Sequence, residues 1–214
     1  MIVALVAGAL AGLFLFAMQA VAVTPLILAA ERYEHEAEAH DHHGGEWKPA
    51  EGWERTLWTA LTSVLTGIGF AAVLFGLLGA MGRRVTVREG LLWGLAAFAC
   101  VHLAPALGLP PLPPGVPVPD VRERQLWWTG AVLAAAVGLW LISRGSWLRR
   151  AAGVVCIAMP HVIGAPAIAE ASAVPAELIR NFTIASLATT AVFWPVLGAI
   201  GGFVSGRMEE RASG

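Results

Sequence analysis

The stretch that decides the fold is "IVALVAGALAGLFLFAMQAVAVTPLILA", residues 2–29, which contains no charged side chain. A helix needs about 20 predominantly apolar residues to cross a bilayer. Over all 214 residues, 57% are hydrophobic and 14% are charged, whereas a soluble domain has roughly 25% charged residues. Because long apolar runs lack the alternation of a barrel strand, they must be helices in lipid. The sequence predicts an all-α, polytopic membrane protein.

Five further apolar stretches follow, so we predict about six transmembrane helices, over residues 2–29, 57–81, 91–109, 126–143, 151–169 and 178–206. Along the chain, a single domain is then divided into a first transmembrane helix (1–30), a His/Glu-rich loop (31–56), a five-helix region (57–206) and a tail (207–214). The five-helix region includes a proline-rich loop, residues 110–120, which is expected to be a stiff polyproline-like strut. The alternative for the first helix is a signal peptide, but no Lys or Arg precedes Arg32 and the run is longer than the roughly 7–15 apolar residues of such a peptide.

The distribution of arginines predicts the orientation. Eight arginines lie in the second and fourth loops and the tail, namely Arg83, Arg84, Arg88, Arg144, Arg149, Arg150, Arg207 and Arg211. The opposite side has six positive residues, spread over longer segments. Because cytoplasmic loops are enriched in Lys and Arg, both termini are predicted to be cytoplasmic and the His/Glu-rich loop extracytoplasmic. Trp127 and Trp128 at one interface and Trp147 at the other are expected to form an aromatic belt.

Glycines spaced four residues apart predict where helices approach closely. Gly8 and Gly12 form one such pair, and Gly198, Gly202 and Gly206 repeat the spacing twice. Small residues at this spacing let two backbones come together. These Gly-rich faces serve either packing within the chain or a homo-oligomer.

The loop after the first helix opens with "ERYEHEAEAHDHH", residues 31–43, which contains four histidines and five carboxylates. If the first helix continues past the membrane surface, residues four apart share a face. Imidazole and carboxylate groups together suit divalent first-row metals. The spacing is not the HExxH of a metalloprotease, because Ala39 stands where the second histidine would be. The candidate metal ligands of the loop are Glu31, Glu34, His35, Glu38, His40, His42 and His43; the alternative is a solvated acidic loop.

Two further histidines, His102 and His161, lie within apolar spans, in the outer half of the bilayer on the predicted topology. Ionisable residues at that depth are costly and usually face a cavity or a partner. His161 lies between Pro160 and Pro166, and broken helices line binding sites in transporters. We predict that His161 is a metal ligand or gate and that His102 lines the pathway. The alternative for His102 is an ordinary hydrogen bond between helices.

Other polar and sulfur-containing side chains are candidates for the same pathway. Cys156 and Met159 provide soft donors on the helix of His161, although packing is the alternative role for both. Ser186 and Thr189 on the last helix either line the path or satisfy backbone groups that Pro195 frees.

Several classes of function are excluded or disfavoured. The single lysine, Lys48, is followed by Pro49, so the chain has no Walker A loop. Cys100 and Cys156 form no CxxC motif. Without an HExxH motif or a nucleophile–base spacing, we expect no enzymatic activity and no permanently bound cofactor. The pattern favours a divalent-cation uptake protein, and the alternative is a membrane-anchored metal-capture, sensor or chaperone subunit.

A series of motifs resembles a known family over almost the full chain. After "PLILAAERYE" and the histidine tract come "LTGIGFA", "GLLWGLAAF", "LAPALGLPPLPPG", "RQLWWTG", "PHVIGAP" and "SAVPAELIRNFTIASLATTAVFW". In this order they are similar to the CbtA-type predicted cobalt transporter subunits. The resemblance implies a bacterial inner-membrane protein that supplies cobalt for cobalamin synthesis, with cobalt as the transported ion and a small, single-span, His-rich CbtB-type subunit as partner. It also implies roles for Glu31, Glu34, the loop histidines and His161.

Overall fold

The computed structural model describes residues 1–38, 52–83, 85–167 and 171–213, with the backbone alone at 34–38, 209, 212 and 213. Within these residues the secondary structure is entirely helical, which confirms the all-α prediction. The helices are α1 (Ile2–Ala22), α2 (Thr24–Glu38), α3 (Trp53–Ala80), α4 (Val87–Phe98), a π-helical turn (Ala99–Leu103), α5 (Ala104–Ala106), α6 (Val121–Ser143), α7 (Trp147–Ile163) and α8 (Ala176–Ser213).

Helical stretches long and apolar enough to cross a bilayer number five in the described part of the chain: Ile2–Ala22, Trp53–Ala80, Val87–Ala106, Val121–Ser143 and Ala176–Met208. The chain is therefore a multi-pass membrane protein. The stretch predicted over residues 151–169 is not among them. In its place α7 has 17 residues and ends before Gly164, whose φ of 95° terminates the helix.

The first predicted helix is two helices. α1 ends before Val23, and Pro25 follows in the first turn of α2. Pro25 has no N–H for the carbonyl four residues earlier, and its ring crowds that carbonyl, so the helical ladder stops and restarts. α2 then continues to Glu38, so the chain is still helical where the sequence predicted the start of the loop. Residues 39–51, which hold three of the four loop histidines, lie outside the described residues.

Two of the predicted spans differ from regular helices of the predicted length: one contains a π-helical turn, and the last extends beyond its predicted end. The π-helical turn Ala99–Leu103 separates α4 from α5, and Pro105 is the second residue of α5. A proline at this place lacks an N–H and would collide with the carbonyl of Val101 in a regular α-helix, and the wider turn relieves that collision. α8 is 38 residues long and continues into the segment predicted as a tail.

The described residues separate into two compact units. Unit 1 contains those within Met1–Pro25, Asp41–Ala97 and Ala188–Gly214, and unit 2 contains those within Leu26–His40 and Phe98–Leu187. The sequence predicted one domain, subdivided along the chain at residues 1–30, 31–56, 57–206 and 207–214. These two compact units do not test that subdivision, which stays a prediction.

Unit 1 is held together by glycines at helix crossings. A Cβ at Gly8 would overlap the backbone of Ile68, and a Cβ at Gly12 would overlap that of Ser63, so α1 and α3 touch backbone to backbone. The facing residue on α3 is itself a glycine, Gly67, next to Gly8. The first predicted glycine pair is therefore confirmed as a close contact within the chain.

The second glycine series of unit 1 joins α4 and α8. Gly90 and Gly198 face each other so closely that a Cβ on either would overlap the carbonyl of the other. Gly202 faces the backbone of Thr86 in the same way. By contrast, a Cβ at Gly206 would meet nothing within 4 Å. Packing within the chain is confirmed for the first two glycines of the series and is absent at Gly206, where a homo-oligomer contact stays a prediction.

Unit 2 is organised around α6. A Cβ at Gly138 of α6 would overlap Ile157 and the carbonyl of Gly153, so α7 packs closely against α6. Cys100 of the π-helical turn and Ala104 of α5 form a small buried cluster with Ala135 of α6. Both helices that carry a membrane histidine therefore pack on the same helix.

The proline-rich loop belongs to unit 2 and is attached to helices at two places. The Thr183 hydroxyl of α8 donates to the Pro111 carbonyl at 2.8 Å. At the end of the loop, the Asp120 side chain accepts from the backbone N–H of Arg122 at 2.8 Å and caps α6.

Candidate metal-ion site

The loop ligands are only partly within the described structure. Glu31 lies on α2 with a half-buried side chain. Glu34, His35 and Glu38 occupy positions of the same helix, so position 35 follows 31 by one turn and 38 follows 34 by one turn, as the prediction required. Their side chains, and all of His40, His42 and His43, fall outside the described residues.

His161 lies on the face of α7 that packs against α6. Gly153 and Ile157 make the close contact with Gly138, and His161 follows Ile157 by four residues, which keeps it on the same face. The α6 residue that meets it is Trp127. The two rings are edge to face, with centroids 5.7 Å apart and planes at 71°.

Trp127 also holds the end of α7. Its indole Nε1 donates to the Pro160 carbonyl at 3.3 Å, and the N–H of Gly164 donates to that carbonyl at 3.1 Å. On the other side, a Cβ at Gly108 would overlap the indole ring. The indole is thus wedged between the chain at Gly108 and the residue preceding His161, which fixes the position of that histidine.

The predicted sulfur donors on α7 do not share the face of His161. Met159 is two residues from His161, which corresponds to about 200° around the helix axis, and its side chain is 53% exposed. Cys156 is half-buried. The backbone carbonyl of Cys156 is a better candidate ligand than its thiol. Pro160 has no N–H to donate to this carbonyl, so the oxygen lacks its usual helical hydrogen bond.

His102 lies in the π-helical turn Ala99–Leu103. In this turn the N–H of Ala104 donates to the carbonyl of Ala99, five residues back. The imidazole is half-buried and stacks on Phe98, with centroids 6.3 Å apart and planes at 17°. π-turns are rare and occur frequently at functional sites. The sequence did not predict the turn, although Pro105 three residues later was the available signal.

The predicted polar residues of α8 fall in different units. Ser186 is half-buried in unit 2, whereas Thr189 belongs to unit 1 and is only 2% exposed. Thr183, which sequence reasoning did not select, is the hydroxyl on α8 that holds the proline-rich loop.

The candidate metal ligands of the described residues lie apart from one another and do not surround a single metal-ion position. Within residues 1–38, 52–83, 85–167 and 171–213, no group of three or more His, Cys, Asp or Glu side chains is placed to hold a metal ion. Glu31, His102 and His161 nevertheless lie in the same compact unit. His161 lies in the last turn of α7, where carbonyl groups without helical donors and the helix dipole favour a cation. His102 lies in a turn that continues into α5.

The comparisons with known proteins give one match. The family model described as "Probable cobalt transporter subunit (CbtA)" matches residues 1–205 of the 214-residue chain. It includes Glu31, His102 and His161 and most of α8. Comparison with the curated proteins and comparison with the solved structures each found no match. The resemblance seen in the sequence motifs is confirmed by the family match.

Proposed function

The chain belongs to the CbtA family of probable cobalt transporter subunits, and we propose that it takes up cobalt across the bacterial inner membrane and so supplies cobalamin synthesis. The family match over residues 1–205 is the observation that carries this proposal. The five apolar helices long enough to span a bilayer, found among the described residues, support it.

The proposed route begins at the ligand-rich segment after α1. Glu31, Glu34, His35, Glu38, His40, His42 and His43 would gather the cation outside the membrane. Because flexible imidazole and carboxylate sites bind copper, nickel and zinc at least as readily as cobalt, this segment concentrates metal ions without selecting among them. Glu31 shares unit 2 with both membrane histidines, which supports a transfer from the segment to them.

Inside the membrane, His161 is the proposed ligand and His102 the proposed next step. The Trp127 contact fixes His161, and the Cys156 carbonyl freed by Pro160 supplies an oxygen one turn away. We retain Ser186 and Thr189 as polar groups along the path. Met159 and the Cys156 thiol would contribute at most secondary contacts, since neither shares the face of His161 on α7.

Six membrane crossings complete the proposal, with α7 as the additional one. A helix of 17 residues is about 26 Å long, near the lower limit for spanning a hydrocarbon core of about 30 Å. Six crossings place both termini in the cytoplasm and α2 outside.

The driving force and the partner follow from what the chain contains. Without a Walker A loop, uptake would draw on the membrane potential, worth about 2.3 kcal/mol per charge per 100 mV and twice that for a divalent ion. The family description as a subunit implies a partner, and we propose the small, single-span, His-rich CbtB-type protein in that role.

Uptake of radioactive cobalt into proteoliposomes with an inside-negative potential tests the proposal. We expect His161→Ala to lower the initial rate by about tenfold, which corresponds to roughly 1.4 kcal/mol in the limiting barrier. Val162→Ala is the matched control, because Val162 follows His161 on the same helix and its side chain is 85% exposed. Equal rates for both variants would contradict a route past His161.

The second candidate function is a membrane-anchored capture, sensor or chaperone subunit that passes the ion to a partner transporter. It is favoured by the lack of any group of three or more ligand side chains in the described part of the membrane helices. On this reading, cobalt binds to vesicles without entering, His161→Ala has no effect, and replacing His40, His42 and His43 by alanine abolishes binding. Entry that appears only when the CbtB-type subunit is added would identify a two-subunit transporter.

A further inference from the structure

Unit 1 contains an open cavity that the transport proposal does not use. Its volume is about 360 Å³, and its wall is formed by the start of α1, the end of α3, Val85 and Ser205 of α8. The apolar part of the wall includes Phe75 and Leu78, and Arg83 supplies a charged group. A cavity of this size is within the range of ligand sites, roughly 300–1,000 Å³.

If α1 and α3 both span the bilayer, the cavity lies near a membrane interface. α1 begins at Ile2 and α3 ends at Ala80, and both helices are candidate membrane spans. The residues of α1 and α3 that line the cavity lie within eight positions of those two ends. An occupant here would have its polar part at headgroup level and its apolar part along the helices.

Arg83 is held at the mouth of the cavity. The chain leaves α3 through Gly82, with φ of 64°, and the N–H of Arg83 donates to the Leu78 carbonyl at 3.0 Å. The guanidinium Nη2 is 3.5 Å from Glu89 Oε1, and the Arg83 side chain is 53% exposed. A guanidinium has five N–H donors, so one distant carboxylate oxygen leaves most of them available to a phosphate.

Glu89 is fixed by other contacts. Its Oε2 accepts from the backbone N–H and the hydroxyl of Thr86, at 3.0 and 3.1 Å, in the capping box that begins α4. Glu89 therefore contacts Arg83 through Oε1 alone, because Oε2 is bonded to Thr86. The other faces of the guanidinium remain accessible.

Two positions in the cavity wall are glycines, which have no side chain to fill the space. Gly76 and Gly79 both line it, and a Cβ at either position would meet nothing within 4 Å. Unlike Gly8 or Gly90, they are not required by a close backbone contact. A glycine inside a helix is less favourable than alanine by roughly 1 kcal/mol, so these two positions leave room beside α3 at some cost to the stability of the helix.

We propose that this cavity binds one anionic phospholipid, with the phosphate on the Arg83 guanidinium and an acyl chain along the exposed face of α3 at Ala72, Gly76 and Gly79. The planar fork of N–H donors matches phosphate oxygens, and basic pockets between membrane helices bind anionic headgroups. The inference does not depend on which ion the protein transports.

The test uses the full chain purified in detergent and measures its thermal unfolding against added phosphatidylglycerol or phosphatidylcholine, with the bound lipids counted by native mass spectrometry. We expect one phosphatidylglycerol to bind and raise the unfolding temperature more than phosphatidylcholine does. Arg83→Gln should weaken phosphatidylglycerol binding by about tenfold, the change expected when a charge-assisted contact is lost. Arg207→Gln is the matched control, because Arg207 is 66% exposed and pairs only weakly with Glu210, at 4.0 Å.

A variant with leucine at both Gly76 and Gly79 tests the cavity independently, in case Arg83→Gln does not fold. It should retain its fold and lose the bound phosphatidylglycerol. Equal shifts with both lipids, unchanged binding in Arg83→Gln, or unchanged binding in the leucine variant would overturn the proposal. An identical shift with inorganic phosphate alone would also overturn it, since the site would then recognise a free anion and not a lipid.

Discussion

At the scale of single residues, the closest approach in unit 1 depends on Gly90 of α4 and Gly198 of α8, where each backbone touches the other. We expect Gly90→Ala to lower the free energy of unfolding by about 1–3 kcal/mol, because the added methyl must push the helices apart. The measurement is denaturant unfolding in mixed micelles.

Gly206→Ala is the control for this substitution. Gly206 lies on the same helix as Gly198, but an added Cβ meets nothing within 4 Å, so alanine there should be neutral or stabilising by up to about 1 kcal/mol. Equal losses of stability in the two variants would show that α4 and α8 do not depend on the Gly90 contact.

Individual residues also show how far sequence reasoning reaches. The four-residue spacing identified Gly8, Gly12, Gly198 and Gly202, because close helix packing leaves a local signature. Gly90 and Gly94 of α4 have the same spacing and also meet the backbone of α8 closely, but we did not select them from the sequence. For Trp127 the predicted place in an aromatic belt omitted its bond to the Pro160 carbonyl, since a contact between residues 33 positions apart has no local pattern.

At the scale of elements, prolines interrupt the helices in different ways. Pro25 coincides with a complete break between α1 and α2, Pro105 follows a π-helical turn, and Pro160 and Pro195 remain inside helices. The sequence shows where a backbone hydrogen bond is missing. It does not show how the chain responds, because the neighbouring helices decide whether a break, a wider turn or an intact helix packs best.

The π-helical turn gives a prediction about His102. Pro105→Ala restores the missing N–H, so we expect the turn to convert to regular α-helix. Removing the extra residue of the wider turn would rotate the residues before it, including His102, by about 100° relative to α5. Cobalt uptake into proteoliposomes should then fall severalfold. The gain in helix propensity, up to about 3 kcal/mol, is offset by the loss of the buried proline ring, so the unfolding free energy should change little.

Pro110→Ala is the control for Pro105→Ala, because Pro110 is exposed in the proline-rich loop and lies outside any helix. It should leave cobalt uptake unchanged. If Pro105→Ala retains full uptake while far-ultraviolet circular dichroism and stability show an intact fold, the geometry of the π-turn has no role in the pathway.

At the scale of the whole molecule, the composition was sufficient to predict a helical membrane protein, because apolar runs in lipid have few alternatives. It was not sufficient to count the crossings. The segment 151–169 is apolar, but the helix there begins at Trp147 and ends before Gly164 after 17 residues, so the length that a sequence window measures differs from the helix that forms. The candidate site was predicted only as a set of ligand types, since pairing of distant elements such as α6 with α7 is set by packing.

The number of crossings determines on which side the C-terminus lies. If α7 crosses, Arg207 and Arg211 lie on the same side as Arg83 and Arg144, in agreement with the enrichment of positive residues in the cytoplasm. If α7 did not cross, α8 would run in the opposite direction and carry both C-terminal arginines outside, which would also require the loss of the α6–α7 packing and of the bond from Thr183 to Pro111. The positive-inside rule therefore favours six crossings.

Fusions of green fluorescent protein and of alkaline phosphatase to the C-terminus after residue 214 distinguish these two topologies. We expect the fluorescent fusion to be bright and the phosphatase fusion inactive, because both termini should be cytoplasmic. Fusions after residue 145, at the end of α6, are the control, since that point is cytoplasmic in either topology. An active phosphatase at the C-terminus would contradict six crossings and, with them, the proposed route past His161.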